Sequence, residues 1–114
     1  MTVELPRVFV PQRQPNLDMT SARDFGELRV MFDSIDYNDA SQLYVEKAKS
    51  FLTQEFAPGD YLVLVGDMVL AAICFKIMAD LDGTGTVKCL KWDRHKKCYY
   101  PIILTNLEME ETYV

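Results

Sequence analysis

The chain has 114 residues, enough for one domain around one core. Its hydrophobic share of 49% and charged share of 25% are those of an ordinary globular protein and exclude a disordered body. A formal net charge of −5 argues against bulk attraction to nucleic acid or anionic lipid.

Arg7 to Val10 is a short β-branched and aromatic run, and Pro11 is expected to end it as a strand. Residues 11–24 hold two prolines and no period, so they read as a loop, with one helical turn near Thr20 to Asp24. Glu27 to Phe32 alternates, with Leu28, Val30 and Phe32 on one face. Asp33 to Asp39 is a polar connector in which Asn38 or Asp39 can cap a helix. That helix runs to about Phe56, because Tyr44, Ala48, Phe51, Leu52 and Phe56 recur at helical spacing. Pro58-Gly59 then stops it.

Tyr61 to Val65 is an apolar run without alternation, which predicts a strand covered on both faces. Gly66-Asp67 turns the chain into a second helix, Met68 to about Leu81. That helix is apolar almost all round, which predicts deep burial or a subunit interface. Gly83 and Gly85 end it. Val87 to Trp92 and Cys98 to Leu104 are β-prone and read as a hairpin. Pro101 cannot donate to a ladder and marks the second arm as an edge strand. No internal repeat or low-complexity segment appears.

The predicted fold class is therefore α/β. It has a small mixed sheet with a mostly parallel centre, an antiparallel C-terminal hairpin and two main helices, in the order β-β-α-β-α-β-β. Right-handed crossovers make the strands 27–32, 61–65 and 87–92 parallel and leave their order in the sheet open. The first short strand is expected to complete the far side. Residues 1–114 are read as one α/β domain, with the loop at 11–24 and a loose acidic tail at 105–114.

The longest apolar stretch, Met68 to Phe75, falls far short of the roughly 20 residues that span a bilayer, so no membrane partner is expected. The opening MTVELPRVFV lacks a basic segment followed by an apolar one, so no signal peptide is expected. Three cysteines without a CxxC pair then fit a reduced compartment. Cys74 reads as core, while Cys89 and Cys98 flank the hairpin loop and face each other in one register.

Two places draw attention as sites. Gly66-Asp67 ends a strand and opens a helix, where free amides can take an anion or phosphate. Yet it lacks the spacing of a glycine-rich phosphate loop, and Asp67 would meet an anion head-on, so a helix cap is the plainer reading. The hairpin gathers Lys88, Lys91, Trp92, Arg94, His95, Lys96, Lys97 and Tyr99. Cations among aromatic rings suit nucleic acid, since they neutralise phosphates while rings stack on bases. The plainer reading is a packed aromatic pair behind a lysine-protected edge. Cys89, Asp93, His95 and Cys98 match no familiar zinc spacing. Asp33, Asp36 and Asp39 read as solvated acids before a helix. No catalytic residue, metal or cofactor is assigned.

Several short pieces taken together resemble a group of small uncharacterised α/β proteins encoded by tailed bacteriophages. They are Arg7-Val8-Phe9-Val10-Pro11-Gln12, Asp24-Phe25-Gly26-Glu27-Leu28, Asp60 to Asp67, Leu90-Lys91-Trp92-Asp93-Arg94 and Tyr99-Tyr100-Pro101-Ile102. Where similar sequences carry a proline after Gly-Asp, this chain has Met68. The resemblance implies a phage origin and a host-cytoplasm setting, and it brings no catalytic residues.

The function expected from these observations is that of a non-enzymatic accessory protein. It acts through protein contacts, as a homo-oligomer and with a possible host or phage protein as partner. The alternatives are a nucleic-acid-associated protein using the hairpin at residues 88–100, and a small nucleotide or phosphate binder at Gly66-Asp67.

Overall fold

The computed structural model describes residues 5–34 and 37–105, with the backbone alone for 37–41. The acidic tail expected at 105–114 lies, from residue 106 on, outside the described residues, as does Asp36. The strands are β1 (Arg7–Gln12), β2 (Glu27–Phe32), β3 (Tyr61–Val63), β4 (Val87–Asp93) and β5 (Cys98–Leu104). The helices are α1 (Tyr37–Glu55), α2 (Met68–Asp82) and a short 3-10 helix at Thr20–Phe25. Asn38 and Asp39 lie inside the first turn of α1 rather than before it, which corrects their expected capping role.

The α/β architecture follows the predicted element order. All strands join one five-stranded sheet in the order β2-β1-β3-β4-β5, parallel except for the β4–β5 hairpin. The expected position of β1 is corrected, because it lies between β2 and β3. Val8, Phe9, Val10 and Pro11 are all buried, and an interior strand is what covers both faces of such a run.

Pro11 does not end β1, but it does end the β1–β3 ladder. The carbonyl of Pro6 accepts Glu27 N–H at 2.9 Å, so by alternation residue 11 faces β3. Continuing the register Phe9–Leu62 makes the carbonyl of Val63 the acceptor opposite Pro11. Proline has no donor to give it, and Val63 accepts Val65 N–H instead, at 3.0 Å. The chain turns there, so β3 is shorter than the expected 61–65 run and Leu64 emerges 40% exposed.

The chain runs from β1 outward to β2, then back across β1 to β3 and on to β4. Crossovers of one hand put the first connection on one face and both later helices on the other. The packing agrees. Leu52 and Ala48 of α1 and Leu70, Cys74 and Met78 of α2 bury Phe9, Leu62, Val87 and Cys89. On the opposite face Ala22 of the 3-10 helix covers Val8, Val10, Val63, Leu90 and Tyr99. The alternation in β2 does not mark the helix face: Leu28 packs on the 3-10 side, while Met31 and Phe32 pack with the helices. Helix α2 buries one stripe only, since Met68 is 87% and Val69 56% exposed.

Candidate functional site at the carboxyl end of the sheet

In open α/β sheets ligands and partners are met beyond the carboxyl ends of the strands, where successive connections diverge to opposite faces. Here that divergence lies between β1 and β3. Because Pro11 cuts their ladder short, the chain ends separate, and Gln12 fills the gap. Its Oε1 accepts Asp67 N–H at 3.1 Å. Gly66 lies against it with φ +84, and a Cβ there would stand 2.9 Å from Gln12 Cβ. Asp67 caps α2, its Oδ1 accepting Leu70 N–H at 3.0 Å. Two of the amides an anion would seek are thus held by the protein's own oxygens, and Asp67 adds negative charge.

The hairpin tip stands at the same end of the sheet, so the fold brings both sequence candidates to one end. Asp93 closes the tip, accepting His95 N–H at 2.8 Å and Lys96 N–H at 3.1 Å. Those bonds, with the nearby Lys96 charge, hold its carboxyl below the usual range. Lys97 takes the left-handed conformation, φ 57, and donates its N–H to the Asp93 carbonyl. Arg94, His95, Lys96 and Lys97 are all exposed on this turn. A shallow groove of about 410 Å³ beside it is lined by Lys91, Trp92, Asp93, Arg94, His95 and Tyr100.

The aromatic pair has a structural duty. Trp92 and Tyr99 meet edge to face at 5.1 Å across the hairpin. Tyr99 is 4% exposed, with its hydroxyl 3.2 Å from Met19 Sδ and its N–H donated to Ser21 Oγ at 2.9 Å. Burial pushes its phenol up, with help from the Asp18 charge. Tyr99 therefore offers no free face to a base. Lys88 lies away from the tip, its ammonium 5.6 Å from the Tyr61 ring centroid.

The register separates the cysteines. Cys89 pairs with Ile102 and Cys98 with Asp93, so the two thiols do not face each other. Cys89 is buried beneath the helices, away from His95. Among the described residues no three His, Cys, Asp or Glu side chains gather as a metal set.

A row that joins the candidate Lys91 to residues outside the sequence candidates completes this end. Tyr100 pairs with Lys91, and the β3–β4 register, which sets Val63 beside Leu90, continues to Leu64 beside Lys91. Leu64 N–H still donates to the Leu90 carbonyl at 3.0 Å. Leu64, Lys91 and Tyr100 are all exposed on the helix side, and Met68 follows at the start of α2. Leu64 escaped sequence reasoning because a continuous apolar run gives no sign of where its ladder stops.

At the amino end, Asp60 is 7% exposed and accepts Arg7 N–H and Ala57 N–H, both at 2.9 Å. Arg29 pairs with Glu55, and Arg7 donates to the Glu55 carbonyl at 2.9 Å. These bonds splice the end of α1 to the sheet and leave little free charge.

The fold and this end define a small doubly wound α/β protein with an added antiparallel edge strand. The family model for the Phage Pam3 gp32-like protein matches residues 6–106, and the chain belongs to that family of phage proteins. Neither the curated proteins nor the solved structures give a match. Among the described residues no helix is long and apolar enough to cross a membrane.

Proposed function

We propose that this phage protein is a non-enzymatic accessory factor that works by contact in the host cytoplasm. It binds other protein chains, its own copies included. One observation carries the reading: the exposed row Leu64–Lys91–Tyr100 with Met68 beside it. Aromatic and methionine side chains such as Tyr100 and Met68 are enriched in interface cores, and a lysine such as Lys91 suits their polar rim. Infected-cell lysate passed over the immobilised protein tests it. A host or phage protein is expected in stoichiometric amount, and Met68→Lys with Tyr100→Lys should lose it. Equal recovery by both proteins would overturn the reading.

The cations Lys91, Arg94, Lys96 and Lys97 at one tip favour nucleic acid as the second reading. Tyr99 is withdrawn from it, so binding would rest on phosphate charge and fall steeply with salt. Labelled strands retained equally with and without Lys96 and Lys97 would remove it. Phosphate or nucleotide at Gly66-Asp67 must displace Gln12, and an unchanged melting temperature at saturating nucleotide would dismiss that third reading.

A further inference from the structure

The two edges of the sheet are built differently. On β5 the outward backbone groups belong to Tyr99, Pro101 and Ile103, since Tyr99 N–H turns away from β4 to reach Ser21 Oγ. Tyr99's donor is thus taken, and Pro101 has none. Only Ile103 presents an outward N–H, too little for a partner strand. On β2 the carbonyl of Pro6 bonds Glu27 N–H, so Glu27, Arg29 and Met31 face β1 while Leu28 and Val30 face outward. Among the described residues no donor or acceptor meets those outward groups, and β2 contains no proline.

We propose that β2 is the docking edge for a second copy of this chain, pairing antiparallel with β2 of its partner about a two-fold axis. A strand edge is open on one side only, and a self-complementary pairing across it closes at two copies. The guarded β5 edge stops the sheet from growing further. Charge is compatible with the arrangement: with the axis through Leu28, Glu27 of each copy lies opposite Arg29 of the other, so each Arg29, already paired with Glu55 of its own chain, gains a second carboxylate neighbour. Leu28 then pairs with Leu28 of the other copy at the centre, and on either side Val30 N–H reaches the Gly26 carbonyl, the Gly26 N–H being held by the Arg23 carbonyl of its own chain. This inference gives the self-association proposed above a surface of its own, apart from the Leu64–Lys91–Tyr100 row, and so rests on that reading.

The test is sedimentation velocity on the full chain across the micromolar range, with Val30→Pro and Ile103→Pro as a matched pair. Each proline removes an outward N–H and leaves the inner ladder intact. Wild type and Ile103→Pro are expected as dimers, and Val30→Pro as a folded monomer by circular dichroism. A variant-free measurement guards against misfolding: in wild type, hydrogen exchange at Leu28 and Val30 should slow as concentration rises. A dimer unchanged by Val30→Pro, or without concentration-dependent protection at Leu28 and Val30, overturns the edge assignment and leaves self-association standing. A monomer at every concentration overturns both.

Discussion

Gln12 Oε1 accepts the backbone N–H of Asp67 at 3.1 Å, tying the end of β1 to the start of α2 across 55 positions of sequence. The bond requires the chain at residue 66 to pass close beside Gln12 in the left-handed region. Gly66→Ala meets both obstacles, the positive φ and a contact of 2.9 Å. It should destabilise the fold by about 1–3 kcal/mol in urea unfolding. Gln12→Ala, which loses one partly buried hydrogen bond, should cost about 1 kcal/mol. A Gly66→Ala protein as stable as wild type would contradict the geometry.

Asp60 presents a second stability prediction. Its two oxygens satisfy separate backbone donors, on Arg7 and Ala57, and the side chain is nearly fully buried. Asp60→Ala leaves both amides without an acceptor and should cost about 2–4 kcal/mol, since each orphaned donor costs roughly 1–3 kcal/mol. Asp60→Asn keeps one acceptor and should fall between the two. Chemical denaturation of the three proteins ranks them, and Ala above Asn in stability would refute the account.

The thiols set an alkaline limit. Burial pushes Cys74 up to about 12 and Cys89 up to about 11. Both are acids whose folded pKa is raised, so the folded state keeps them neutral while the unfolded chain ionises near pH 8.5. Their contribution is whole below that pH and is lost as pH rises towards 11 and 12. The urea midpoint should fall between pH 8 and pH 10. Tyr99, also raised by burial, adds to the loss at higher pH. At neutral pH a thiol reagent should label only Cys98 in the native protein, and all three cysteines after unfolding. Rapid native labelling of Cys89 would show that the helix layer does not cover it.

What the sequence disclosed follows from locality. Helix α2 was legible because Asp67 caps it and Gly83 stops it, and both signals sit within the segment they punctuate. Pro101 was legible as an edge residue because it sits in mid-strand, where an interior position would leave a ladder bond without its donor. The place of β1 was not legible, since pairing with β2 and β3 depends on residues about 20 and 53 positions away. Pro11 misled for the same reason: its missing donor matters on one side of the strand only, and the sequence does not say which side. At the candidate site, the cations at the tip were visible as a cluster. Tyr99 could not be sorted from Tyr100, because only the register shows that one faces the 3-10 helix and the other the groove.

The guard on β5 makes a final prediction. Pro101 faces outward, so Pro101→Val adds an N–H without disturbing the bonds to β4. Ser21→Ala frees the Tyr99 N–H as well. Together they turn β5 into an edge with three consecutive outward donors beside the apolar Ile103 and Leu104, which are 56% and 40% exposed. Such an edge pairs with other chains. If β2 already joins copies in pairs, an opened β5 lets those pairs add end to end, and the product is an extending sheet rather than a larger closed oligomer. Light scattering of the double variant should grow with time and bind thioflavin, while the added Val30→Pro change should hold growth to small assemblies. A double variant that stays the size of wild type would show that Pro101 and Ser21 do not protect this edge.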